Sequence, residues 1–187
     1  MVDVSEFIPD AVLDIRYATA NNFVGVALYD QATCLLRPEV AKRLRRAAAL
    51  LRKRGYRLRL WDCYRPFSVQ EALYRKVSDP RYVGKPKRGA DGKPLKGSRH
   101  NRGAAVDVSL VTIDGKNVRM PTDYDDFSRR AHRSELAKGG KGAGNARVLE
   151  AAMSEAGFVG LATEWWHFDA EGWQRFALLD IAFQDLN

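Results

Sequence analysis

Ser98-Arg99-His100-Asn101-Arg102-Gly103-Ala104-Ala105-Val106-Asp107-Val108-Ser109-Leu110-Val111 is the stretch that decides how this chain is read. From Ala104 onward it alternates as a half-buried strand does. Ala104, Val106, Val108 and Leu110 make an apolar face, while Asp107 and Ser109 point the other way. Gly103 and the two alanines after it let the backbone pass close to a neighbour. An aspartate set among Ala, Val and Leu needs a partner, because an unpaired buried carboxylate is costly. His100, seven residues earlier at the end of a loop, is one candidate. The plainer alternative is an Asp107 bonded to loop amides and a His100 at the surface.

Strands and helices can be placed outward from this stretch. Residues 38–54 read as a helix: Pro38 suits its first turn, Val40, Leu44, Ala47, Ala48 and Leu51 form an apolar stripe, and Gly55 ends it. Residues 56–62 read as a strand, with Tyr56, Leu58 and Leu60 on one face and Arg57, Arg59 and Trp61 on the other. Ser68 and Glu71 have capping-box spacing for a helix to about Arg75. Asn145 is placed to cap a helix ending at Gly157. Residues 158–169 read as a hairpin turning near 160–163, and 172–183 as a last helix. The stretches 78–98 and 112–143 are loop, and loops that long are often functional. With no regular βαβ alternation, the expected class is α+β: one domain over 1–187, a small, mostly antiparallel sheet, flanking helices and long loops around the site.

Composition narrows the function. The chain has 187 residues, 31 Lys and Arg against 23 Asp and Glu, and a net charge of +8. Much of the excess lies on one helix face (Lys42, Arg45, Arg46, Lys53) or in the loop holding Lys85, Lys87, Lys93 and Lys96. Such charge runs are usually solvated faces, so no nucleic-acid partner is expected. No apolar run reaches membrane-span length, so no membrane insertion is expected either. The opening Met1-Val2-Asp3-Val4-Ser5-Glu6 is polar and acidic, unlike a signal peptide. The expected compartment is the cytoplasm, or the periplasm if a leader has been removed. Cys34 and Cys63 do not make a disulfide framework; they could pair in an oxidising compartment, but two reduced thiols is the plainer reading. Oligomeric state leaves no signal.

Histidine is scarce, with three in the chain. His167 lies in Glu164-Trp165-Trp166-His167-Phe168-Asp169, an aromatic wall in which both it and Glu164 need partners. A satisfied core histidine is the plainer reading. His100, Asp107 and His167 together, however, make two imidazoles and a carboxylate. Three such ligands and an open position describe a catalytic zinc site. Glu164 would then be a base for the attacking water, provided it lies in a turn before the strand, since residues three apart in a strand face opposite ways. Arg65, before Pro66 at a strand end, can stabilise an oxyanion or simply pair with Asp62.

Ser98-x-His100-x-x-Gly103-x-Ala105-x-Asp107 with Glu164-Trp165-Trp166-His167 resembles the metallopeptidase group of D-alanyl-D-alanine dipeptidases, D,D-carboxypeptidases and hedgehog-like domains. Arg16-Tyr17-Ala18-Thr19, Asn22-Phe23-x-Gly25, Trp61-Asp62-x-Tyr64-Arg65-Pro66 and Met120-Pro121-Thr122-x-Tyr124-Asp125 are similar to its VanX-type dipeptidase branch. The resemblance spans nearly the whole chain. It implies one zinc ion per chain on His100, Asp107 and His167, with Glu164 as general base and then acid, and Arg65 stabilising the transition state. It further implies that Asp125 holds the ammonium of a small dipeptide substrate, Ser98 its carboxylate, and that Tyr29 lines the amino-end pocket. Cys63, where glycine is common, and the Lys-rich stretch 84–97 depart from the pattern. The sister readings are a carboxypeptidase or endopeptidase on longer wall peptides, against which Asp125 argues, and a zinc-stabilised binding domain, against which Glu164 argues.

Overall fold

The computed structural model describes residues 1–80 and 82–186. The chain opens with β1 (Val2–Asp3), α1 (Val4–Phe7), β2 (Val12–Leu13) and β3 (Leu35–Leu36); β1 and β3 pair in a small separate sheet, and β2 forms one edge of the main sheet. The amphipathic α2 (Pro38–Arg52) follows, burying Val40, Leu44, Ala47, Ala48 and Leu51. Next come β4 (Tyr56–Asp62), α3 (Phe67–Lys76), the small hairpin β5 (Lys87–Arg88) and β6 (Pro94–Lys96), and β7 (Ala105–Thr112). Then α4 (Arg133–Ala137), α5 (Ala143–Glu155), β8 (Phe158–Gly160) and β9 (His167–Ala170) complete the main body. The main sheet runs β2-β4-β7-β9-β8, antiparallel except where β2 joins β4, with α2 packed against β4 and α5. This is the α+β architecture expected. Among the described residues no helix is long and apolar enough to cross a membrane.

Two features of the sheet decide where chemistry can occur. The first is a bulge between Leu60 and Asp62, which sets Asp62 rather than Trp61 opposite Asp107. Directly opposed residues share a face, so this one-residue slip carries Asp62 off the apolar side of β4 and onto the side of Asp107. The second is the β7–β9 register, in which Asp107 stands opposite His167.

Several local expectations are corrected. Cys34 and Cys63 are not thiols but a disulfide, with Cα atoms 5.2 Å apart. The fold brings them together because the amide of Tyr64 bonds to the carbonyl of Leu35, laying the end of β4 against β3. The last helix is absent from residues 172–183: a 3-10 turn at Trp173–Arg175 leads into an extended segment and a second turn at Phe183–Asp185. Its backbone bonds outward instead, Leu179 to Asn101 and Phe67, and Ile181 to the Tyr64 hydroxyl. That segment also explains why Ser68 and Glu71 form no capping box. α3 starts at Phe67, and Asp180 Oδ1 accepts from the Ser68 N–H at 2.8 Å, while Glu71 binds Arg88. Asn145 is likewise no cap. α5 starts at Ala143 behind Gly142 (φ 82°), where a Cβ would overlap the backbone of Met120, and Asn145 Nδ2 donates instead to the carbonyl of Arg119.

Candidate active site

Alternation along two strands builds the centre of the site. Asp107 on β7 and His167 on β9 are an opposed pair, so their side chains meet: His167 Nδ1 is 3.0 Å from Asp107 Oδ1. Asp169, two residues on, shares the face of His167 and takes its other nitrogen, Nε2, at 2.8 Å. His100 arrives from the 3-10 turn His100–Arg102, closed by left-handed Gly103 (φ 64°), where a Cβ would collide with Met1. Its Nδ1 lies 2.7 Å from the carbonyl of Cys63. Its Nε2 lies 3.1 Å from His167 Nδ1 and 3.4 Å from Asp107 Oδ1.

Each imidazole thus spends its outer nitrogen on a carbonyl or carboxylate and turns its inner nitrogen toward Asp107. Fixing ring and tautomer in this way is what the surroundings of a metal-binding histidine do. Two imidazole nitrogens and a carboxylate oxygen this close need a shared cation, a proton or a metal ion. Among the described residues, His100, Asp107 and His167 form a group of potential ligands whose donor atoms all lie within 4.8 Å of one another. Burial opposes a charge on His167, but its bonds to Asp107 and Asp169 outweigh burial and lift it to about 10. Burial likewise opposes ionisation of Asp107, yet His100 and His167 hold its carboxyl far below the usual carboxylate range. The pocket attracts positive charge strongly, and its donor set fits a metal of the zinc type.

Glu164 lies in the turn between β8 and β9, ahead of the strand, as sharing the site required. Its Oε2 is 4.0 Å from His167 Nδ1. Burial raises its carboxyl above the ordinary range. Arg133 pins this turn, donating to the carbonyls of Leu161, Trp165 and His167 at 2.9–3.0 Å.

Arg65 is buried and does pair with Asp62: Nε and Nη2 donate to Asp62 Oδ2 at 3.0 and 2.5 Å, and Nη1 to Gln70 at 2.8 Å. Burial works against its charge, but Asp62 overcomes that and keeps the guanidinium protonated. Its pairing leaves it on the wall of a cavity of about 290 Å³, together with His100, Asp107, His167, Glu164, Ser98 and Asp125. Ser98 Oγ accepts from the His100 N–H at 3.3 Å. Asp125 adopts a left-handed backbone (φ 57°) and accepts from the Tyr17 hydroxyl at 3.2 Å. Burial, with Asp107 and Glu164 nearby, pushes its carboxyl well above the ordinary range. Tyr29, expected to line the amino-end pocket, does not reach the cavity: it stands one step behind its wall because its hydroxyl is taken by Asp62, to which it donates at 2.7 Å.

Three contributors were missed from the sequence. Asp169 was legible, being the next same-face residue after His167 in a strand. Tyr124, which donates to Asp107 Oδ2 at 2.8 Å, and Arg133 reach the site from loop and helix, and no periodicity marks them.

The chain is similar in sequence to known proteins over most of its length. A family profile described as D-ala-D-ala dipeptidase matches residues 1–184. The D-alanyl-D-alanine dipeptidase of Escherichia coli (strain K12) is 32% identical over 183 residues, 98% of this chain and 91% of that protein. The D-alanyl-D-alanine dipeptidase of Enterococcus faecalis (strain ATCC 700802 / V583) is 32% identical over 168 residues, 83% of each chain. That of Streptomyces coelicolor is 28% identical over 178 residues, 88% of each. A family match over residues 1–184, with relatives 32% identical over most of the chain, means that the chain belongs to the D-Ala-D-Ala dipeptidase family.

Proposed function

We propose that this protein is a zinc-dependent dipeptidase that hydrolyses free D-alanyl-D-alanine to two D-alanine molecules. One observation carries the reading: the inner nitrogens of His100 and His167 converge on Asp107 with the Glu164 carboxyl 4.0 Å from His167, on the wall of one small cavity. The family membership and the relatives' names support the substrate.

The residues divide the work as follows. His100, Asp107 and His167 would hold one zinc ion, which when bound supplies Lewis acidity and an activated water. Glu164, its carboxyl raised by burial toward working pH, takes the proton of the attacking water and returns it to the leaving amine. Arg65, held by Asp62 and Gln70, stabilises the oxyanion from a fixed position, which costs no reorganisation during the reaction. Asp125 accepts the substrate ammonium, and Ser98 donates to the carboxylate at the other end. Tyr29 acts from behind, orienting Asp62. A cavity of about 290 Å³ is at the bottom of the range for small-ligand sites, roughly 300–1,000 Å³, which favours a free dipeptide over a wall pentapeptide. The Cys34–Cys63 bond favours an oxidising compartment over the cytoplasmic expectation.

The test is hydrolysis of D-Ala-D-Ala, L-Ala-L-Ala and N-acetyl-D-Ala-D-Ala, before and after chelation and after zinc is restored. Fast, chelator-sensitive cleavage of the first substrate, regained with zinc, is expected. Equal cleavage of the acetylated dipeptide would replace the dipeptidase reading with a carboxypeptidase one. Activity indifferent to chelation would remove the metal.

A further inference from the structure

We infer that Tyr124 is a positioning residue of this site: its hydroxyl clamps the far oxygen of Asp107, so that one oxygen of that carboxylate is presented to the metal. The inference rests on the zinc reading above.

The two oxygens of Asp107 are in different company. Oδ1 faces both imidazoles, 3.0 Å from His167 Nδ1 and 3.4 Å from His100 Nε2. Oδ2 accepts the Tyr124 hydroxyl at 2.8 Å. A carboxylate left alone can offer a cation either oxygen or both. One whose second oxygen is engaged by a directed O–H donor is biased toward offering the first. A metal held through that one oxygen would keep more of its coordination shell for water and substrate.

The clamp is rigid because the Tyr124 ring is wedged among other rings. It lies 4.8 Å from Trp61, 5.6 Å from Trp166 and 6.4 Å from Tyr17. The loop that carries it is fastened separately, by Trp165 Nε1 donating to Thr122 Oγ1 at 2.8 Å. Asp125 follows immediately, in its left-handed conformation, with its carboxyl on the cavity wall. The metal-ligand clamp and the ammonium anchor are therefore adjacent residues. Removing the Tyr124 hydroxyl leaves the ring packing in place and with it the path to Asp125. The loss should therefore fall on metal binding and turnover rather than on substrate binding.

Tyr124→Phe tests this, with Thr122→Val as the control that loosens the same loop without touching Asp107. Zinc affinity is read by competition with a chromophoric chelator, and the surroundings of the metal by the visible spectrum of the cobalt-substituted protein. For Tyr124→Phe the expected result is zinc affinity lower by about 10–100-fold, an altered cobalt spectrum, and a fall in kcat at near-constant KM for D-Ala-D-Ala. For Thr122→Val a lower melting temperature is expected, with zinc affinity and cobalt spectrum unchanged. Wild-type zinc affinity and an unchanged cobalt spectrum in Tyr124→Phe would overturn the inference. So would an equal loss of zinc affinity in Thr122→Val, since loop order would then be the cause. If the wild-type protein fails to cleave D-Ala-D-Ala but Tyr124→Phe still loses zinc, the dipeptidase reading falls and the clamp stands.

Discussion

Replacing Asp125 by Asn isolates the charge that is expected to select a free amino terminus. The carboxyl accepts one hydrogen bond, from Tyr17, and forms no ion pair among the described residues. Burial first, then Asp107 and Glu164, push it well above its ordinary value near 3.8. A docked ammonium supplies the missing partner. At about 4 Å and an effective dielectric of about 20 the attraction is roughly 4 kcal/mol, part of it offset by desolvation. Removing one member of such a desolvated pair costs about 2–5 kcal/mol, or roughly thirtyfold to several thousandfold in kcat/KM. N-acetyl-D-Ala-D-Ala has no ammonium, so its slow cleavage should change by less than about tenfold, and the preference for the free dipeptide should collapse. Stability should move the other way. The native carboxyl binds its proton more tightly than the unfolded one, so its contribution is most favourable below about pH 4 and is lost as pH rises through the raised native value. Asn does not titrate, so the variant should be no less stable than the parent at pH 7. The assay is steady-state kinetics on both substrates beside a thermal melt. An Asp125→Asn enzyme that cleaves D-Ala-D-Ala within about threefold of the parent, or loses both substrates equally, would refute the reasoning.

The remaining predictions concern the metal, the base, the guanidinium and the disulfide. His167→Ala should lose its zinc by metal analysis, whereas His132→Ala should keep it; the reverse would move the site. Glu164→Gln should retain zinc and lose about 10²–10⁴-fold in turnover in single-turnover experiments, and near-parental turnover would exclude it as the base. Arg65→Lys loses the fork that engages Asp62 and Gln70, so kcat should fall by about 10²–10³-fold; a change confined to KM would make Arg65 a substrate binder only. Reducing Cys34–Cys63, which closes a chain separation of 29 residues, should destabilise the protein by about 3–4 kcal/mol in denaturant titrations. It should also lower activity, because the Cys63 carbonyl holds His100. An unchanged unfolding midpoint with reductant would contradict this.

What was readable beforehand follows from periodicity and scarcity. The α2 stripe and the apolar faces of the strands at 56–62 and 105–112 are local periodic patterns, whereas the burial of the polar side of β7, Asp107 and Ser109 included, comes from tertiary packing. The placing of Glu164 in a turn followed from the same rule, since three residues along a strand would have turned it from His167. The caps and the C-terminal helix were misjudged because their hydrogen-bond partners are remote. Ser68 is capped by a residue more than a hundred positions away, and 176–182 spends its backbone on Asn101, Phe67 and Tyr64.

The sequence by itself determined the class of fold and singled out His100, Asp107, His167 and Glu164, because scarce residue types in matching motifs carry that information one-dimensionally. The tertiary structure decided how they act together. The β4 bulge set Asp62, and through it Arg65, on the side of Asp107. The β7–β9 register set Asp107 against His167 and let Asp169 orient the ring. The β3–β4 contact turned two cysteines into a staple beside His100, and loop packing brought the Tyr124 hydroxyl to the second oxygen of Asp107. Each is a contact between segments far apart in the chain, and it depends on strand register and packing, which no local pattern of residues encodes.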